Sequence, residues 1–167
     1  NPILTYDELL DRYVDGTLSK IHGDLHLGNI LVGPNASAFL IDFAQTRNGH
    51  TLFDWASLEI SLLTEVVSPV VGDDWWSVRL VLRTLTSLHK DTPDSAVPAL
   101  NTVMQHVIAV RDIARDCLAR ESSWSEYYMA LALCALRAFM WDTLSLGARR
   151  LMFSLAGLAI HELRHRG

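Results

Sequence analysis

Cysteine is nearly absent. The 167 residues hold two, Cys117 and Cys134. Both stand inside apolar helical patterns with no paired spacing, which excludes a disulfide-built secreted scaffold and points to a reducing, cytoplasmic setting. A long hydrophobic run is missing as well. The most apolar stretch, 127–141, carries Arg137 and is too short to cross a bilayer, so a buried helix is expected there and no membrane contact. No cationic, apolar, cleavable leader opens the chain. Basic residues are in deficit, with Lys+Arg 14 against Asp+Glu 19 and a net charge of −5. That balance leaves no electrostatic footprint for nucleic acid. Methionine does not stand at position 1, and with Asn1-Pro2 at its start the chain is expected to be a piece of a longer polypeptide.

Apolar residues, by contrast, are abundant. Half the chain is hydrophobic and the mean hydropathy is +0.18. A single domain of this length buries a sizeable core. The excess fits either an unusually apolar helical core or a face that a partner covers.

The periodicity divides the chain into a short β-rich part and a long helical part. Thr5-Tyr6-Asp7-Glu8 has the capping-box pattern and predicts a helix over 6–14, ended by Asp15-Gly16. A strand is expected over 18–22, then a polar loop over 22–29. Ile30, Leu31 and Val32 form a brief apolar strand, 33–37 a turn by residue type, and 38–41 the returning strand. From Leu52 onward the period is helical. One helix is expected over 52–67, broken by Pro69 and Gly72. Asp73 caps a second running to His89. A loop, and the one weak linker candidate, falls at 91–94 around Pro93. Pro98 opens a third helix reaching Arg120. Ser123-Trp124-Ser125-Glu126, a second capping box, opens a fourth reaching Leu144, and a last helix covers 148–166. The fold class is mainly α within α+β: one domain over 1–167, a small β-hairpin and a helical bundle.

Polar residues concentrate where the strands end, in His22-Gly23-Asp24-Leu25-His26-Leu27-Gly28-Asn29 and in Asp42-Phe43-Ala44. If the loop folds back, Asp24, Asn29 and Asp42 emerge from one end of the hairpin, and the strand return makes Asn29 and Asp42 neighbours. Phosphoryl transfer needs such a set. Hard oxygen ligands hold magnesium against the phosphates. A placed carboxylate orients the attacking hydroxyl and accepts its proton.

The loop 22–29 resembles the His-Gly-Asp-Leu-His-x-Gly-Asn catalytic loop of aminoglycoside phosphotransferases and related small-molecule kinases of the protein-kinase-like fold. The resemblance implies the C-terminal lobe of that fold, with Asp24 as catalytic base, Asn29 and Asp42 as magnesium ligands, and ATP as co-substrate. Asp42-Phe43-Ala44 is similar to the metal-binding Asp-Phe-Gly element, with Ala44 in place of the glycine. Phe53-Asp54-Trp55-Ala56 resembles a downstream Tyr-Asp-Leu-Ala stretch. There Asp54 would cap its helix and help His22 brace the loop. His26 is a substrate or phosphate contact, or a loop filler. Gly23 stands where regulated protein kinases often carry arginine, which favours a small-molecule acceptor. The glycine-rich loop, lysine and glutamate of the ATP-covering N-terminal lobe have no room before His22. That lobe is expected elsewhere in the polypeptide or on another chain, and this chain alone is expected to be inactive. Similar loops also occur in "ternary complex associated" modules of bacterial conflict-system proteins. The alternative is therefore a non-catalytic interaction module.

Other readings stand beside these. His22-x-Asp24-x-His26 has a spacing that zinc allows on a strand, without an apparent fourth ligand. Asp73-Asp74 suits a helix start better than a metal pair. Glu126, Asp142 and Glu162 are expected to be solvated or capping groups, Trp75, Trp76, Trp124 and Trp141 to be core, and the tail with Arg164 and Arg166 to be a solvated helix end.

Overall fold

The computed structural model describes residues 1–87, 98–120 and 123–166. Two small antiparallel pairs organise its first third. β1 (Leu18–Ile21) pairs with β4 (Arg47–His50), Leu18 opposite His50 and Ile21 opposite Arg47. β2 (Ile30–Val32) pairs with β3 (Ala38–Leu40), Ile30 opposite Leu40. The hairpin 30–41 is thus formed as its turn residues imply, closed by Gly33 N–H donating to the Ser37 carbonyl at 2.8 Å. β4 was not expected. Its Arg-Asn-Gly-His sequence carries no apolar alternation, and it is a strand because β1 offers it a ladder. The two pairs clamp both ends of the segments 22–29 and 41–46, which therefore run side by side.

The helices follow. α1 (Tyr6–Leu10) is shorter than expected, and Thr5 makes no cap to it. The Thr5 hydroxyl donates instead to the carbonyls of Asn1 and Pro2. α2 (Phe53–Leu62) is buried on almost every side. At Pro69, which has no N–H to give, the helix does not break. A wider π turn over Leu63–Val67 absorbs the mismatch and the chain continues as α3 (Ser68–Val71). Gly72, at φ 83°, stops it.

α4 (Trp75–Ser87) is capped by Asp74 rather than Asp73: the Asp74 carboxylate accepts the Trp76 and Ser77 amides at 2.8 and 3.0 Å. Asp73 reaches across the fold and accepts the Gly147 amide at 2.7 Å, at the start of α7 (Leu146–Arg166). α5 (Pro98–Asp116) and α6 (Ser125–Phe139) complete the bundle. The expected loop at 91–94 and the helix end at His89 lie outside the described residues.

The second capping box is not made either. Glu126 turns inward, almost fully buried, accepts the Ala119 amide and stands 3.4 Å from His50 Nε2. It is neither solvated nor a cap of its own helix. Arg164 pairs with Glu8 of α1, so the C-terminal helix is tied down rather than merely solvated.

The apolar excess is divided between core and surface. α2, α4, α5, α6 and α7 share one core, and a smaller cluster packs Leu9 of α1 against α6 and α7. Yet Leu31, Val32, Phe39, Leu40 and Phe43 stand exposed on and beside the hairpin. So do Trp75, Trp76 and Trp141, against the core expectation for them.

A charged cluster sits inside the larger core. Arg111 of α5 donates to both oxygens of Glu59 on α2, Nε at 2.8 Å and Nη2 at 2.7 Å. Tyr127 of α6 donates its hydroxyl to Glu59 at 2.5 Å, and Arg111 Nη1 reaches the Leu85 carbonyl of α4 at 3.2 Å. Burial alone would lower the Arg111 pKa, but the facing Glu59 carboxylate outweighs it and raises it. Burial, with Glu59 alongside, likewise pushes the Tyr127 phenol up. Burial pushes the Cys134 thiol from 9.0 to about 12.

All three raised groups keep their protons longer in the folded state than in the unfolded chain. Their contribution is therefore complete below the unfolded values and is lost as pH rises. For Cys134 the window runs from 9.0 to about 12. Thermal melts are expected to show Tm falling across that window, with a shallower fall in Cys134→Ala.

Candidate functional site

The loop 22–29 is held by its backbone. Asp54, in the first turn of α2, accepts the His22 amide at 2.6 Å on Oδ2 and the Gly23 amide at 2.9 Å on Oδ1. Its carboxylate makes no cap to its own helix. Further along, the Leu27 amide donates to Ser61 Oγ at 3.0 Å, and that hydroxyl donates to Glu65 at 2.6 Å. Ser61 and Glu65 were not singled out from the sequence. Their only signal there is being polar in an apolar helix. Gly23 has φ +84°, and a Cβ on it would stand 2.3 Å from the Gln45 carbonyl. The close approach of the two segments accounts for glycine at this position.

His22 is buried. Its Nε2 lies 2.8 Å from the Ile41 carbonyl, which only accepts, so Nε2 carries the proton. The ring packs 5.0 Å from Phe43, and its Nδ1 is buried without a partner. His22 thus ties the loop to the backbone one residue before Asp42. His26 accepts the Gly28 amide on Nδ1 at 3.1 Å, capping the short turn Leu27–Asn29.

Asn29 is buried and its Nδ2 donates to the Asp24 carbonyl at 2.9 Å. The Ile41 amide donates to the Asn29 carbonyl at 3.0 Å. Through these bonds the backbones of Asp24, Asn29 and Ile41-Asp42 are joined. Asp42 has φ 60° and ψ 63°, the left-handed region, which aspartate visits at a cost of about 1 kcal/mol. Ala44 has no such φ, so the position where the resemblance has glycine is satisfied by alanine.

The Asp24 carboxylate makes no hydrogen bond among the described residues. Arg137 Nη2 stands 3.9 Å from its Oδ1 and His26 Nε2 stands 3.9 Å from its Oδ2. Arg137 is a missed site residue, and its signal was an isolated cation in the apolar run 127–141.

Magnesium takes oxygen ligands. The Asn29 amide nitrogen is occupied by the Asp24 carbonyl, which leaves the amide oxygen for a cation. Asp42 has no protein partner for its carboxylate among the described residues. Both are oxygen donors of the class that magnesium takes. The zinc alternative has no support. Among the described residues no three His, Cys, Asp or Glu side chains form a metal-holding group. Among the described residues no helix is long and apolar enough to cross a membrane.

No curated protein and no solved structure matches the chain. A family model does, over residues 1–140, and its description is ternary complex associated domain 9. That span covers the clamped loops, the hairpin and every helix through α6, so the chain belongs to the family of ternary complex associated domain 9.

Proposed function

We propose that this chain is the catalytic-loop lobe of a kinase-like phosphotransferase, moving the γ-phosphate of ATP to a hydroxyl of a small molecule. A lobe elsewhere in the polypeptide, or on another chain, would cover the nucleotide. One observation carries the reading. The loop 22–29 and the segment 41–46 are locked side by side by hydrogen bonds to backbone, while the carboxylates of Asp24 and Asp42 are left without any. Such an arrangement fixes the backbone beneath both carboxylates without tying the carboxylates themselves into hydrogen bonds, as phosphoryl transfer requires.

In this reading Asp24 orients the acceptor hydroxyl and takes its proton. Asn29 and Asp42 hold magnesium, which supplies charge neutralisation at the phosphates when bound. His22 and Asp54 brace the loop, and His26 contacts substrate or phosphate beside Asp24. The left-handed backbone at Asp42 supports the assignment, since such conformations cluster at functional positions.

A second reading, a non-catalytic interaction module, draws on the family description and on the exposed hairpin residues Leu31, Val32, Phe39 and Leu40. Calorimetry separates the two. The full polypeptide that carries this chain is expected to bind Mg·ATP, and Asp42→Ala to weaken that binding at least about tenfold. No binding by the full polypeptide would leave the interaction module as the conclusion.

A further inference from the structure

Between the N-terminal segment and α6 lies a cleft of about 340 Å³. Ile3 and Tyr6 line one wall, and Leu133, Leu136 and Phe139 of α6, with Met140 directly after it, line the other. Positions 133, 136, 137 and 140 share a helix face by their spacing. Arg137 is the single charged residue of the lining. Its guanidinium makes no hydrogen bond among the described residues, and its Nη2 stands 3.9 Å from Asp24 Oδ1. Arg137 therefore belongs to the cleft and to the catalytic loop at once.

We propose that this cleft is the acceptor site and that it takes a small amphiphilic anion: a hydroxyl-bearing molecule with an apolar body and a carboxylate, sulfonate or phosphate. The cleft's volume lies in the range of small-molecule sites, about 300–1,000 Å³. Its lining selects the chemistry. A polyhydroxylated neutral ligand would leave hydroxyl groups unpaired against Leu133, Leu136 and Phe139, a cost that an apolar body avoids. A polycation would meet Arg137 as a like charge. An oxyanion meets a planar fork of donors that makes no hydrogen bond among the described residues, its charged neighbour being Asp24 in a long ion pair at 3.9 Å to one of its nitrogens. The attraction is local, since the chain as a whole carries −5.

The anion on Arg137 would set the acceptor hydroxyl against Asp24. The word acceptor rests on the reading of Asp24 as the base. The binding chemistry of the cleft does not.

The probe is 1-anilinonaphthalene-8-sulfonate, an aryl sulfonate, titrated by fluorescence against the full polypeptide. Uncharged N-phenyl-1-naphthylamine is the control. Arg137→Gln is expected to weaken the sulfonate about tenfold, the factor of one charge-assisted contact, with the uncharged probe unaffected. Leu133→Trp, which fills the cleft, is expected to weaken both probes. Met140→Glu, at an exposed rim position that cannot upset the core, is expected to weaken the sulfonate more than the neutral probe.

Sulfonate binding that is absent, or unchanged in Arg137→Gln and in Met140→Glu, would overturn the anion assignment. Neutral-probe binding unmoved by a folded Leu133→Trp would overturn the cleft. Arg137-dependent sulfonate binding alongside full turnover in Asp24→Asn would keep the site and remove only its description as an acceptor site. Loss of turnover in Asp24→Asn without sulfonate binding would do the reverse.

Discussion

Glu59→Ala is expected to lower the stability of the fold by about 3–5 kcal/mol, the cost of stranding a buried charge. Glu59 is wholly buried and Arg111 nearly so, and the pair is bidentate. Removing the carboxylate leaves the Arg111 guanidinium enclosed by α2, α4, α5 and α6, with the Leu85 carbonyl as its remaining acceptor. It also removes the acceptor of the buried Tyr127 hydroxyl, so both donors must find water or stay unpaired.

Urea unfolding checks this, read as a drop in midpoint at unchanged slope. The double variant Glu59→Leu with Arg111→Met is expected to recover much of the loss, because a buried ion pair replaced by apolar residues of similar volume is often neutral. A loss under about 1 kcal/mol in Glu59→Ala would mean that the guanidinium escapes to solvent, and that the cluster does not tie the four helices together. The same cluster bears on the site. Glu59, Asp54 and Ser61 all project from α2, so the helix that braces the loop is itself held by the Arg111 pair.

The hairpin was legible because its information is local. A Gly-Pro-Asn turn between short apolar strands specifies both strands and their return. The polar loop was legible for the same reason, its residue types being poor core material gathered at strand ends. The long-range partners were not. Asp73 looks like a cap from its neighbours, yet its acceptor role is with Gly147, while Asp74 takes the cap. Glu126 looks like half of a capping box, yet burial against His50 and the Ala119 amide wins. Glu59 and Arg111 each look like an interruption in an apolar helix. Only their meeting in space turns two isolated charges into one bonded cluster. β4 left no trace because its strand character comes from β1, and the π turn left none because Pro69 reads locally as a stop.

Asp24→Asn separates chemistry from architecture at the loop. In the full polypeptide it is expected to lower magnesium-dependent, acceptor-stimulated ATP turnover by about 10²–10⁴-fold, the range for removing a positioned general base. Stability is expected to change by less than about 1 kcal/mol. The carboxylate is partly exposed, makes no hydrogen bond among the described residues, and has only two cationic neighbours at 3.9 Å. The group that braces the fold at this residue is the backbone carbonyl, which accepts from Asn29 and survives the substitution.

Asp54→Asn is the contrasting variant. Its carboxylate accepts two buried amides, so its replacement is expected to lower Tm and turnover together. Mg·ATP binding should persist in Asp24→Asn, since the metal is assigned to Asn29 and Asp42. A base role for Asp24 requires turnover to collapse while melting and nucleotide binding stay put. Wild-type turnover in Asp24→Asn would remove the base role from Asp24.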